Sequence, residues 1–435
     1  MFSTVSKREI PTLVIEQPLW QTHTDILRWR AVHQPELLAY RFLSDGETED
    51  ARLTNRELDR LARRIAGYLQ QIGGQGERVL LLYPQGLEYV TAFFACLYAG
   101  AVAVPAYPPS SQRSFHRILA IAGDARAKVV LTTTQILTKL RRSPELLASL
   151  QEVQWITTDT LADEVEHHWS NPGMRADDLA FLQYISGSTG TPKGVMVSYG
   201  NLIHNNQAVR ASVQHAEGTP FVSWLPLFHD MGLICNMLQA MYQGVPCILM
   251  APSVFIQKPF RWLQAVSRYK AHTSGGPNFA YDLCVQKISP EQRATLDLSH
   301  WQVAFCGAEP IHAQTLRHFT QTFAECGFRE QSFWPCYGLA ESTVFVSGDA
   351  KQQQPLIIPV QKQALEHYQI LAAAEHTENL ALVGCGPTWE GQRAVIVDPE
   401  ARTLCPAGHI GEIWLAGPSV AQGYWQRPEE TQETF

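Results

Sequence analysis

The residues with the clearest chemical capacity lie in one stretch, Tyr184 to Asn201, which reads YISGSTGTPKGVMVSYGN. Its centre is a loop of glycines and hydroxyl side chains closed by a lysine. Glycines at 187, 190 and 194 let backbone N–H groups approach an anion with no Cβ in the way, and Ser186, Ser188, Thr189 and Thr191 add hydroxyl donors. Lys193 supplies a positive charge at the end of the loop. Such a set suits a polyphosphate. It is not a P-loop, which needs Gly before the lysine and Ser or Thr after it, whereas Pro192 precedes Lys193 and Gly194 follows. The apolar segments on either side, Leu179 to Ile185 and Gly194 to Ser198, read as strands, so the loop joins two strands and does not open a helix. A plain surface turn is the alternative for any Ser/Thr/Gly cluster between apolar runs.

The elements that must position this loop follow from the rest of the chain. With 435 residues, 45% of them hydrophobic, it is long enough for two or three packed units. A net charge of −7 with scattered Lys and Arg argues against an extended nucleic-acid footprint, so the expected partners are small molecules or proteins. Nine cysteines with no CxxC pair and no metal-ligand spacing fit a reducing, cytoplasmic setting, and the first residues lack an apolar core long enough for a signal peptide. Val90 to Tyr107 carries no charge over eighteen residues. Gly100 and Pro105 interrupt it, which favours a buried helix (Leu87 to Tyr98) and a buried strand (Ala101 to Ala106) over a membrane span.

From Arg78 to about Thr158, short apolar runs alternate with amphipathic ones: RVLLLYP, AVAVPAY, KVVLTTT and VQWITT are strands with helices between. The rhythm resumes after the loop with FVSWLPL, VPCILM, WQVAFCG and QSFWPCYG. Alternation of this kind predicts βαβ units and parallel sheets, here two doubly wound α/β subdomains at about 1–175 and 176–347. From 381 to 435, short alternating strands with Gly and Pro turns (RAVIVDP, GEIWLAGP) predict a small β-barrel-like or distorted-sheet subdomain.

The loop Ser186 to Gly194 resembles the phosphate loop of adenylate-forming enzymes, the superfamily of acyl-CoA synthetases, luciferases and peptide-synthetase adenylation domains. Three more segments stand where that resemblance places them, just past predicted strand ends: WLPLFHDMGL, FCGAEP and CYGLAES. The resemblance implies ATP as co-substrate and Mg²⁺ as metal. It implies an adenine and phosphate site formed by residues 186–191, Lys193, Gly307, Ala308, Glu309, Tyr337, Gly338, Ala340 and Glu341. In that site the Tyr337 face stacks on adenine, Gly307 and Ala308 leave room for its edge, and Glu341 holds the metal. Lys193, His229 and Glu341 would carry the chemistry, with His229 a donor near the attacking carboxylate; His229, Met231, Gly275, Gly276 and Phe279 would line an acyl site, Pro277 opening the helix there.

Within the superfamily, WLPLFHDMGLI, SGGPNFAYDLC, AFCGAEPI, CYGLAESTVFVSG and GEIWLAGPSVAQGYW resemble the fatty acyl-AMP ligases, which pass an activated fatty acid to an acyl carrier protein. The polar-rich stretch Gly348 to Ala374 resembles the insertion of that branch; a solvated linker is the alternative. Two departures stand out. Ala340 replaces a Thr common in the superfamily, and the sequence ends at Phe435, before the ribose-holding aspartate and the mobile C-terminal domain with its lysine, so the resemblance implies a large domain with little activity alone. Other readings are a fatty acyl-CoA synthetase or a non-catalytic acyl-adenylate or fatty-acid binder. A GPSVA near-match to a nucleophile elbow at Ser419, and the cluster Glu164, Glu166, His167 and His168, are weaker leads toward a hydrolase or a metal site.

Overall fold

A computed structural model describes residues 20–108, 112–141, 150–186, 191–216, 218–373, 378–389 and 391–435. Among them two large sheets dominate. The first has six strands in the order Gln154–Thr157, Val129–Thr132, Arg78–Leu82, Val102–Ala106, Leu179–Ser186 and Pro192–Ser198. All neighbours are parallel except the last pair, an antiparallel hairpin in which Ile185 faces Lys193. The expected strand–loop–strand arrangement is therefore present.

The second sheet has eight strands: Ser347–Gly348, Phe333–Tyr337, Val303–Cys306, Thr273–Gly276, Phe221–Ser223, Cys247–Met250, Leu38–Leu43 and Glu49–Thr54. Its central neighbours are parallel and its two outermost strands antiparallel. One sequence boundary shifts here. Leu38–Leu43 pairs with Cys247–Met250, and Leu179–Ser198 closes the first sheet, so the sheets do not divide at residue 175. Strand pairing over two hundred residues apart leaves no local signal for such an exchange.

Between the sheets lies the helix Leu87–Ala99, every residue of it buried except Glu88. A helix packed on all sides has no polar face, which is why its sequence imitates a membrane span. No helix among the described residues is long and apolar enough to cross a membrane. Phe93 and Phe94 are fully buried there, and truncating either to Ala would cost about 3–5 kcal/mol through lost transfer energy and the cavity left behind. Helix Asn55–Gln71 covers it from one side, opened by a capping box between Thr54 and Glu57.

The tail takes the distorted-sheet form of the sequence expectation. Its strands form two separate small sheets among the described residues, the antiparallel pair Ile357–Gln361 with Asn379–Val383, and Thr403–Leu404, Arg393–Asp398 and Glu412–Ala416 in that order. Within the stretch 348–374, whose last residue lies outside the described set, Gly348 pairs with Cys336 and Ile357–Gln361 forms the strand just named.

Candidate active site

The four glycine and hydroxyl positions Gly187, Ser188, Thr189 and Gly190, with the side chain of Ser186, lie outside the described residues; Thr191 and Lys193 are described. Lys193 is held from the far end of the chain. Residues 422–425 run antiparallel to the hairpin strand: Gln422 N–H donates to Met196 O and Met196 N–H to Gly423 O, both at 2.9 Å, and Trp425 N–H donates to Gly194 O at 2.8 Å. That pairing places Tyr424 beneath Lys193, with the ammonium 5.1 Å from the ring centroid. Glu430 forms an ion pair with the Lys193 ammonium, and Arg427 bridges Glu430 and Asp124 at 2.9 Å each. The Lys193 and Arg427 donors hold the Glu430 carboxyl below its usual range.

Glu341 belongs to the same cluster. The Tyr424 hydroxyl donates to Glu341 Oε1 at 2.6 Å, and the Glu341 carbonyl accepts from Ala421 N–H at 2.8 Å. The lysine and the carboxylate expected to hold phosphate and a metal therefore share one neighbour, Tyr424.

Next to Glu341 opens a cavity of about 190 Å³. At one end are Ala308, Tyr337 and Gly338, beyond the carboxyl ends of strands Val303–Cys306 and Phe333–Tyr337. That is the position at which open α/β sheets bind ligands. Close backbone approach requires glycine here: a Cβ at Gly338 would lie 1.6 Å from the Val344 carbonyl oxygen, and one at Gly307 2.8 Å from the Cys336 carbonyl. Ala308 (φ +67°) and the buried Thr343 (φ +67°) hold positive-φ backbone in the two loops that flank this end of the cavity, strain that must be sustained by the surrounding packing. Burial, and next to it the Glu341 charge, raise the Tyr337 pKa, so its ring presents a neutral phenol.

His229 and Met231 form the wall of the middle of the cavity. His229 Nδ1 lies 2.5 Å from Asp230 Oδ1, and this carboxylate raises the imidazole pKa above its ordinary 6.5 against the opposing effect of burial. Beyond Met231 the chain makes a π-helical turn, Leu233–Leu238, a feature often found at functional sites. Cys235 of that turn and Cys336 line the cavity as neutral thiols, since burial pushes both pKa values up.

The far end is lined by Phe221, Thr273 and Val303. Each is the first residue of its strand, so the cavity runs the length of the sheet from carboxyl to amino edge. At about 3.3 Å per residue, that is roughly 10 Å along Thr273–Gly276.

Of the sequence candidates, the cavity brings together His229, Met231, Ala308, Tyr337 and Gly338. Lys193 and Glu341 meet beside it through Tyr424. Glu309 faces elsewhere, its carboxylate accepting from Phe279 N–H at 2.7 Å. Ala340 is buried beneath the loop, while Gly275 and Gly276 pack against Phe305 and Trp224. Phe279 stands outside the cavity lining, 42% exposed, and Pro277 caps the helix Asn278–Lys287 without being its first turn. Ser419 is buried, accepting from Asn205 Nδ2 at 3.1 Å and meeting His204 Nδ1 at 2.7 Å, so it lacks the exposure a nucleophile elbow requires. Residues 163–168 form a 3₁₀ turn, and no group of three metal-ligating side chains occurs among the described residues.

Comparison with protein families matches residues 27–425 to the AMP-binding enzymes. This chain belongs to that family. Among curated relatives of this AMP-binding enzyme is the medium-chain-fatty-acid–[acyl-carrier-protein] ligase JamA of Moorena producens, 41% identical over 97% of this chain and 72% of its own length. The long-chain-fatty-acid–AMP ligase FadD32 of Mycolicibacterium smegmatis is 37% identical over 94% of this chain and 66% of its own. A crystal structure of a fatty acid AMP ligase from Legionella pneumophila superposes with a TM-score of 0.91 at 39% identity, covering 95% of this chain and 72% of that one. A second from the same organism, in complex with acyl adenylate and pyrophosphate, gives 0.90 at 39% identity, with the same coverage. The branch of the AMP-binding family to which the chain belongs is that of the fatty acyl-AMP ligases.

Sequence reasoning missed Tyr424, Arg427, Glu430 and Asp124. The local signals were the family-like segment GEIWLAGPSVAQGYW, which contains Tyr424, and the charge spacing of Arg427 and Glu430, three residues apart; nothing in sequence ties them to Lys193.

Proposed function

We propose that the chain is the large domain of an enzyme that activates a fatty acid with ATP to give acyl-AMP and pyrophosphate, for transfer, in the complete enzyme, to the phosphopantetheine thiol of an acyl carrier protein. The observation that carries this reading is the cavity itself, which joins an end lined by Tyr337, Ala308 and Gly338 to an apolar floor at Phe221 and Val303. A substrate with an ionic head and a hydrocarbon tail fits that polarity. An oxygen of the fatty-acid carboxylate attacks the α-phosphorus, forming a new P–O bond, and the bond between that phosphorus and the β-bridging oxygen breaks to release pyrophosphate. His229 donates toward the carboxylate and orients it; Lys193 neutralises phosphate charge as the pyrophosphate departs.

The donor set also fits Mg²⁺. Magnesium is commonly held by one or two carboxylates together with substrate phosphates and water, and Glu341 supplies one such carboxylate beside Lys193. Bound there, the ion would spread the charge that develops on the phosphates.

The test is incubation of the complete enzyme with laurate, ATP and Mg²⁺, followed by a carrier protein bearing phosphopantetheine or by coenzyme A. The expected result is acyl-AMP with equimolar pyrophosphate, then acylated carrier protein and no acyl-CoA. Acyl-CoA as the preferred product would assign a CoA synthetase, and laurate binding with no pyrophosphate release would assign a binder.

A further inference from the structure

At the floor of the cavity the apolar lining gives way to a closed chain of polar groups. His215 Nε2 lies 2.6 Å from the Thr219 carbonyl, which can only accept, so Nε2 carries the proton and Nδ1 is an acceptor. Thr273 Oγ1, 3.1 Å from His215 Nδ1, then donates to it. The same hydroxyl accepts from His272 Nδ1, 2.9 Å away, and Lys351 Nζ lies 3.4 Å from His272 Nε2 and donates to the Gln214 carbonyl at 2.8 Å. Every member has a partner, and with both imidazoles neutral the directions are mutually consistent. Burial favours that state, lowering His215 to about 4 and His272 to about 3.

His215 is the outermost ring of this chain. Its imidazole stacks on Phe221 with centroids 4.6 Å apart and planes at 13°, and Phe221 and Thr273 are themselves floor residues of the cavity. On its other side His215 lines a surface depression with Arg210, Gln214 and Tyr242. One side chain therefore backs the cavity and borders the exterior.

We propose that His215, pinned by Phe221 and Thr273, is the plug that sets the upper limit of acyl-chain length, and that the depression behind it is the exit a longer chain would take if the plug were removed. The inference rests on the fatty-acid reading of the cavity. An imidazole fixed by two hydrogen bonds and a stack resists displacement by a hydrocarbon end, which offers no hydrogen bond in return. A merely apolar floor could repack around one more methylene. Lys351, from the stretch that resembles a family insertion, completes the chain of donors, so that stretch supports the floor of the site.

The experiment compares octanoate, laurate and palmitate in pyrophosphate release and, without catalysis, in equilibrium binding by calorimetry. For His215→Ala, the palmitate-to-octanoate ratio of kcat/KM and of affinity should rise roughly tenfold, the effect of burying about two further methylenes, with the KM for ATP unchanged. His215→Phe refills the space and should return the ratio to that of wild type. Should His215→Ala fail to fold, as judged by thermal melting, His215→Ser makes the same opening with a smaller apolar change. An unchanged ratio in a folded, active opening variant overturns the plug. Wild-type protein that binds none of the three acids overturns the fatty-acid reading itself, and the plug with it, a result distinct from an unchanged ratio.

Discussion

The Tyr424 hydroxyl donates to Glu341 Oε1 at 2.6 Å while the face of the same ring lies 5.1 Å from the Lys193 ammonium. One side chain from the last strand-like segment thus contacts both the carboxylate and the cation of the proposed phosphate site. Burial, and after it the hydrogen bond to Glu341, raise the Tyr424 pKa, so the phenol stays a donor through the physiological range. Tyr424→Phe keeps the ring over Lys193 and removes only the orienting donor. Groups that orient a metal ligand typically change metal affinity by 10–100-fold when lost, so the Mg²⁺ concentration for half-maximal pyrophosphate release should rise roughly tenfold. An unaltered Mg²⁺ titration would exclude this role.

Under the proposed function, the Glu430 carboxylate that pairs with Lys193 would compete with phosphate for it. An ammonium already paired with a carboxylate must exchange that partner for the phosphates when ATP enters. Glu430→Gln leaves the hydrogen-bonding shape and removes the competing charge, so the KM for ATP should fall several-fold with kcat little changed. Lys193→Ala should act in the opposite sense, lowering adenylation by about 10²–10³-fold, the usual cost of deleting one preorganised electrostatic contact. Steady-state kinetics at varied ATP separates the two; a Glu430→Gln variant with weaker ATP use would mean that Glu430 positions Lys193 and does not restrain it.

The His229–Asp230 pair gives a pH dependence. Because the Asp230 carboxylate raises the imidazole pKa above 6.5, protonated His229 adds to folded-state stability. The sign follows: the contribution is complete below 6.5, the ordinary value, and disappears as pH rises through the elevated folded-state pKa. His229 is 54% exposed, so solvent screens the effect and it will be small. In Asp230→Asn the imidazole should titrate at lower pH by NMR, and any limb of the activity profile that needs protonated His229 should move to lower pH with it. A profile that stays in place while the NMR pKa drops would separate His229 protonation from catalysis.

Most of the architecture was legible because it rests on local pattern. RVLLLYP and AVAVPAY are buried parallel strands whose apolar runs are continuous, as burial on both faces demands. The motif loops at Gly307 and Gly338 were legible because backbone crowding admits only glycine there. What sequence could not reveal is long-range pairing. Leu38–Leu43 enters the second sheet through Cys247–Met250, and Tyr424 reaches Glu341 across 83 residues. Phe279 shows the opposite failure: an aromatic at a helix start beside the Gly275–Gly276 pair suggested an acyl contact, yet its ring packs edge-on to Trp224, centroids 6.1 Å apart, on the outer side. Helix phase relative to a cavity depends on packing, which the motif does not encode.

That difference yields a contrast between two substitutions. Met231 is nearly buried and lines the middle of the cavity, whereas Phe279 is 42% exposed and outside it. Met231→Trp adds bulk where an acyl chain would pass, and should shift preference from palmitate toward octanoate by tenfold or more, since excess volume in a close-packed wall costs about 1–3 kcal/mol. Phe279→Trp adds similar bulk where solvent can accommodate it and should leave the preference as it is. Competition assays with mixed acids, read as acyl-AMP products by mass spectrometry, measure both variants at once. If Phe279→Trp shortens the preferred acid as much as Met231→Trp does, the acyl path passes outside the cavity described above and crosses the start of the helix Asn278–Lys287.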